Sequence, residues 1–225
     1  MRNIKIIGHR GARGLAPENT LASLQKALEL AVDEIEIDLR VSQDGVVLLH
    51  HNPTIEDASG NRLTISACNY AELKQHKPDL AMLKEALDFI GNKVHLYLEV
   101  KSGEPTKPIV AELQKYLAAG HGAKNLSLGS FSQKTLLELD AALPQVEKIV
   151  IENWSGISAR RRAKQLGTKK ISMNQRWLWS VFIRAMSPHY ELYTYTLNDP
   201  VKARRWARYG LAGVVTDYPD LFKKL

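Results

Sequence analysis

The sequence predicts a (β/α)8 TIM barrel with a β-hairpin excursion and a short insertion after its second strand. Three observations carry that prediction. Short apolar, β-rich runs recur along the 225 residues, at 4–8, 34–41, 46–50, 94–101, 126–130, 147–152, 169–173, 191–197 and 211–216. Helical patterns separate most of them, and strand–helix alternation through a whole chain argues for a parallel sheet with crossover helices. The one break in the rhythm carries a hairpin signature. About eight such units in this length describe a closed barrel rather than two smaller domains.

The first run, Ile4 to Gly8, reads as a buried strand punctuated by Gly8 and Gly11, with His9 and Arg10 between them. Pro17, Asn19 and Thr20 open the helix "TLASLQKALELA" (20–31), with Asn19 or Thr20 as its N-cap. His9 and Arg10 therefore stand at the C-terminal end of a strand, the end at which barrels carry their chemistry. The next run, "DEIEIDLR", alternates strictly. Ile35, Ile37 and Leu39 share one face, and Glu34, Glu36 and Asp38 the other. Only "SQDG" separates it from the run at 46–50, too short for a parallel crossover. Asp44-Gly45 reads instead as a two-residue turn, which sets Leu39 opposite His50 and Asp38 opposite His51.

In "VHLYLEVK", Val94, Leu96, Leu98 and Val100 suit a helix-facing side, leaving His95, Tyr97, Glu99 and Lys101 for the interior. "PIVAELQKYLAA" (108–119) is the following helix. The later runs continue the alternation without an internal repeat, a low-complexity segment or a linker, so residues 1–225 are expected to form one domain.

The bulk numbers bound the function classes. The start at Met1-Arg2-Asn3 runs at once into a strand, which predicts no signal peptide, and no apolar run is long enough to span a membrane. A single cysteine, Cys68, fits a reducing compartment, and the expected location is cytoplasmic. Thirty-one Lys and Arg against 24 Asp and Glu give a net charge of +7, which favours anionic partners. The basic runs 159–170 and 202–208 read as solvated helix faces. No RNA-binding motif or helix-turn-helix accompanies them, so nucleic acid is not an expected partner.

Carboxylates directed into a barrel are costly unless paired or bound to a cation. Glu36, Asp38 and Glu99 all fall near strand C-termini, and three convergent carboxylates make a hard-oxygen site for Mg²⁺ or Ca²⁺. The competing structural reading is a set of buried salt bridges to Arg40 and Lys101. His9 and His50 supply a base and an acid near neutral pH. Arg10, Lys101 and a divalent ion supply positive charge where phosphoryl oxygens become more negative. That inventory describes metal-assisted phosphodiester cleavage.

At these residues the sequence resembles the glycerophosphodiester phosphodiesterase family, within the PI-phospholipase C-like phosphodiesterases. The matching stretches are "HRGARGLAPENTLASLQKAL", "IEIDLRVSQDGVVLLHH", "LEVK", "SFS", "YTYTLND" and "GVVTDYPD", in family order and nearly end to end. The resemblance implies hydrolysis of glycerophosphodiesters to sn-glycerol 3-phosphate and an alcohol, with Mg²⁺ or Ca²⁺. It implies His9 and His50 as the catalytic histidines, Glu36, Asp38 and Glu99 as metal ligands, and Arg10 and Lys101 as phosphate-holding groups. In the family reaction the glycerol 2-hydroxyl attacks phosphorus, one histidine taking its proton and the other protonating the leaving alcohol. By resemblance His9 is the base and His50 the acid.

Three departures stand out. The family usually has Asp after its second histidine, whereas this chain reads "HHN", with His51 in that place. The Arg common in the following segment is absent, and the insertion between His50 and Glu99 is shorter than in bacterial relatives. A reduced cover predicts a mouth open to bulkier groups, hence an alternative lysophospholipase D-like activity at a membrane surface. A non-catalytic binder of phosphate headgroups would need a broken acid–base or metal set. Ser130, Tyr195 and Asn174 are further candidates at strand ends; Trp177 and Trp179 read as packing a helix or loop, with a lipid-facing edge to the open mouth as the alternative. Oligomeric state has no sequence signature here.

Overall fold

The apolar runs become strands almost residue for residue in the computed structural model, which describes residues 4–57 and 59–223. In chain order the elements are β1 (Lys5–Gly8), α1 (Leu21–Glu29), β2 (Glu34–Val41), β3 (Val47–Leu49), β4 (Thr54–Glu56), β5 (Arg62–Thr64), α2 (Tyr70–His76), α3 (Leu83–Ile90) and β6 (His95–Val100). There follow α4 (Thr106–Ala118), β7 (Leu126–Ser130), α5 (Gln133–Ala142), β8 (Glu147–Glu152), α6 (Gly156–Leu166), β9 (Lys170–Asn174), α7 (Ser180–Met186), β10 (Glu191–Tyr195), α8 (Pro200–Ala207) and β11 (Gly213–Thr216). Eight of the strands pair in parallel in the order β1-β2-β6-β7-β8-β9-β10-β11, and β11 pairs with β1 to close the barrel.

Alternation along each strand builds two cores. Ile35, Ile37, Leu39, Leu96, Leu98 and Val100 face outward and are buried under the helices. Each such side chain contributes about 1.5–3 kcal/mol on burial. The inward residues Ile7, Tyr97, Ile149, Ile151, Tyr193 and Val215 fill the barrel interior. That interior packing forms a floor beneath the strand C-termini. Four helices, α1, α5, α6 and α8, start at oxygen caps: Thr20, Ser132, Ser155 and Asp199 each accept a backbone N–H from the first turn. No helix among the described residues is long and apolar enough to cross a membrane.

The hairpin forms, but one residue out of the expected register. Leu39 pairs with Leu49, Arg40 with Leu48 and Val41 with Val47, so His50 N–H reaches the Asp38 carbonyl at 3.1 Å. The cause is the turn. Gly45 N–H closes onto Ser42 O, while Ser42 N–H bonds Val46 O, leaving a three-residue loop with Gly45 at φ 81°. A type I turn followed by a left-handed residue gives this geometry, whereas a two-residue Asp-Gly loop of type I′ would need both central residues left-handed. Asp38, and not Leu39, is therefore the residue opposite His50. The insertion after β3 forms a small lobe of β4, β5 and α2, held by Leu48, Ile55, Ile65, Leu73 and Leu80.

Candidate active site

Gly8, His9, Arg10 and Gly11 end β1 in a loop pressed against the start of α1. At Gly11, φ is 86° and a Cβ would stand 2.6 Å from the backbone of Ser23, so only glycine fits. Ser23 Oγ accepts from Ala12 N–H at 3.0 Å and donates to the Arg10 carbonyl. The loop is thereby pinned, and Arg10 takes a left-handed backbone (φ 51°) that aims its N–H at Glu36 Oε2, 2.9 Å away.

The strand register assembles the carboxylates. Asp38 on β2 lies beside Glu99 on β6, and Glu36 precedes Asp38 by two residues on the same face. One oxygen from each of the three lies within 4.8 Å of the others, and Asp38 and Glu36 are buried. Two cations meet this cluster. Lys101 Nζ is 2.5 Å from Asp38 Oδ1 and also donates to Glu99 Oε1, and Arg10 Nε is 3.1 Å from Asp38 Oδ2. Arg40, by contrast, turns away to Glu104 (2.7 Å) and the His51 carbonyl. The salt-bridge reading is thus half realised, for Lys101 but not for Arg40.

Three carboxylates against two cations leave an imbalance. Burial, then Asp38 and Glu99, push the Glu36 carboxyl well above the usual range, and burial and Asp38 raise Glu99. Asp38 resists its own burial because Lys101 and Arg10 hold it down, to about 2. Glu36 Oε1 is buried without a hydrogen-bond partner. A buried acceptor with no donor, beside two more carboxylates, is the donor set a hard divalent cation requires. The residues fit the ion.

His9 sits at the rim with its Nδ1 2.6 Å from Asp217 Oδ1. Asp217 in turn accepts from Asn198 Nδ2 at 3.0 Å. The Asn198 amide is itself oriented, because its Oδ1 accepts from Asp217 N–H and Thr216 Oγ1, each at 2.9 Å. Burial lowers the His9 pKa below the usual 6.5, although Asp217 pulls it upward. The imidazole is therefore neutral at pH 7, with Nδ1–H donated to Asp217 and Nε2 free as a base.

His50 and His51 both lie near this cluster, in different surroundings. His50 Nδ1 meets the Asn52 carbonyl at 3.0 Å, and its ring lines a polar cavity of about 350 Å³ with Lys77, Glu56 and Arg62. His51 Nδ1 meets Asn52 Oδ1 at 2.8 Å. Burial lowers both pKa values. The charges next in influence differ: Lys77 and Glu18 with Asp38 for His50, but Lys101, Asp38 and Arg10 for His51.

The remaining candidates are spread around the mouth. Ser130 is buried, and its hydroxyl is occupied by the Val100 carbonyl (2.7 Å) and Ser132 N–H (3.1 Å). Tyr195 O–H lies 3.0 Å from both the Glu152 carbonyl and Asn153 Oδ1, with its ring edge-on to Phe131. Asn174 caps the turn after β9 through Arg176 N–H and donates to Asn153. Sequence reasoning missed Asn19, whose Nδ2 donates to Asp38 Oδ2 (2.9 Å) while its Oδ1 accepts Asp38 N–H (3.1 Å). It also missed Asp217 and Asn198. All three lay inside the quoted matching stretches, Asn19 read only as a helix cap.

Known proteins share this chain's sequence pattern and fold. The chain is 26% identical to a glycerophosphodiester phosphodiesterase of Bacillus subtilis, over 99% of this chain and 86% of that enzyme. A human lysophospholipase D is 31% identical over 49% of this chain and 36% of its own length. The fold superposes on an Oleispira antarctica phosphodiesterase in complex with the product sn-glycerol-3-phosphate, with a TM-score of 0.84 at 24% identity over 97% and 95% of the two chains. It superposes likewise on a glycerophosphodiester phosphodiesterase of Thermotoga maritima, with a TM-score of 0.81 at 23% identity over 100% and 99%. Residues 9–221, from the first rim histidine to beyond Asp217, match the profile of the glycerophosphoryl diester phosphodiesterase family, and the chain belongs to it.

Proposed function

We propose that this protein hydrolyses glycerophosphodiesters to sn-glycerol 3-phosphate and an alcohol, with a divalent cation, Mg²⁺ or Ca²⁺, held by Glu36, Asp38 and Glu99. The carrying observation is the buried carboxylate cluster, with Glu36 Oε1 unpartnered, set beside His9, Arg10 and Lys101. Family membership and the product-bound structural neighbour support the reaction class. When bound, the cation supplies a Lewis acid that draws charge from the phosphoryl oxygens.

The side chains divide the remaining work. Arg10 and Lys101 attract the anionic phosphodiester to the carboxylate cluster. His9 Nε2 removes the proton of the glycerol 2-hydroxyl, whose oxygen forms a bond to phosphorus as the bond to the leaving alcohol breaks. Asp217 stabilises the imidazolium that results. The second histidine protonates the departing oxygen, and water then opens the cyclic phosphate. The sequence points to His50 for this role, but the surroundings favour His51, whose ring answers to Lys101, Asp38 and Arg10. Asn52 Oδ1 accepts from its Nδ1–H, so donation from Nε2 requires the imidazolium, which Asp38 and the anionic phosphodiester favour against the burial that lowers its pKa.

The test is release of glycerol 3-phosphate from glycerophosphocholine and glycerophosphoethanolamine. Chelator should stop it, added Mg²⁺ or Ca²⁺ should restore it, and His9→Ala and Glu36→Ala should each abolish it. Undiminished turnover in chelator, or in both variants, would overturn the assignment. Lysophospholipase D-like hydrolysis is the second reading, supported by the exposed aromatic side chains around the mouth. Release of choline from lysophosphatidylcholine distinguishes it.

A further inference from the structure

Two neighbouring loops at the strand C-termini, after β8 and β9, carry large apolar side chains in the open. Trp154, after β8, is 70% exposed; Ile157, on the first turn of α6, is 84% exposed; Trp179 and Val181, at the start of α7, are 55% and 67% exposed. Trp154 and Trp177 touch edge-to-face across two loops, with ring centroids 5.9 Å apart, so the crest is continuous between them. Its inner side reaches the site. Phe131 packs on Tyr195 at the barrel mouth, and the Tyr195 hydroxyl donates to the backbone just before Trp154. Solitary exposed apolar residues are ordinary, but a contiguous group at one end of a molecule marks an interaction surface.

Charge identifies the partner. From Asn153 to Tyr190 the sequence contains no Asp or Glu, while Arg160, Arg161, Arg176 and Lys164 in that span are exposed. Helices run back from the mouth, so Arg160 and Arg161, one turn into α6, and Arg176, between Trp154's partner Trp177 and β9, lie nearest the crest. Tryptophan rims flanked by cations without intervening carboxylates suit the headgroup layer of an anionic bilayer, where the rings sit at the interface and the guanidinium groups pair with phosphates.

We propose that this crest is a peripheral docking face for anionic lipid bilayers, holding the barrel mouth toward the membrane. The assignment concerns where the protein works and stands independently of the reaction proposed above.

Flotation with vesicles tests it, comparing phosphatidylcholine alone with phosphatidylcholine mixed with phosphatidylglycerol. The protein should float with the mixed vesicles and not with the neutral ones, and salt should release it. Binding should blue-shift tryptophan emission. Arg160→Glu combined with Arg161→Glu should weaken vesicle binding by roughly thirtyfold or more, from about fivefold for each cation lost. Trp154→Ala combined with Trp179→Ala should abolish the blue shift. Both pairs are exposed, so folding is unaffected, and turnover of soluble glycerophosphocholine should match the parent. Failure to float with anionic vesicles at low salt, or flotation unchanged in either double variant, overturns the proposal. Absence of turnover in every form, with flotation intact, counts against the reaction and leaves the docking face standing.

Discussion

Replacing Asp217 with Asn should disable His9 while leaving its position almost unchanged. In the parent, Asn198 Oδ1 is committed to Asp217 N–H and Thr216 Oγ1, so Asn198 Nδ2 must point at residue 217. A carboxylate accepts from Asn198 and from His9 Nδ1–H at once. An amide cannot. Its oxygen turns to the fixed Asn198 Nδ2 donor, and its NH2 group then faces His9 Nδ1. That nitrogen must accept, the ring proton moves to Nε2, and the base loses the lone pair it needs. The lost charge-assisted hydrogen bond alone is worth about 1.5–3 kcal/mol, or about 10- to 150-fold in kcat/KM. The tautomer penalty adds to it, so a fall of roughly 100-fold or more is expected. The pH profile supplies a second readout. Rate requires neutral His9, so it falls as pH drops through the His9 pKa. Asp217 raises that pKa against the effect of burial, and removing it shifts the acid limb to lower pH. A kcat/KM within about threefold of the parent with an unmoved acid limb would refute the reasoning.

Other expectations follow from the same contacts. His51→Ala should lower kcat by roughly 100-fold or more and His50→Ala far less, measured on glycerophosphocholine; the reverse order would return the acid role to His50. Asn19→Ala removes two hydrogen bonds from buried Asp38 and places alanine at φ 57°, so urea unfolding should show a loss of about 2–4 kcal/mol. A loss below about 1 kcal/mol would mean that water or rearrangement satisfies Asp38. Gly11→Ala collides with Ser23 and should cost more than about 3 kcal/mol or prevent folding. Gly45→Ala has the same sign of φ but open space around it, and should cost only about 1 kcal/mol; equal costs would contradict the steric argument.

The local parts of this protein are written in its sequence. Period-two alternation in "DEIEIDLR" and "VHLYLEVK" sorted outward Ile and Leu from inward Glu and Asp, because a pleated strand leaves no other choice of face. Strand spacing then required a barrel, and the barrel placed His9, Glu36, Asp38 and Glu99 at one end. What depended on distant partners was not legible. Whether Asp44-Gly45 closes a two-residue or a three-residue loop turned on Ser42 bonding Val46, and it moved the hairpin by one residue. Which of two adjacent histidines answers to Lys101 and Arg10 depends on the chain after β3, where strand alternation has ended. Asp217 meets His9 across 208 residues of sequence, and Asn19 clasps Asp38 on β2 from the loop just before α1. A strand carries its own periodicity, but a hydrogen bond between remote loops exists only once β11 has closed onto β1 and brought both loops to the same rim.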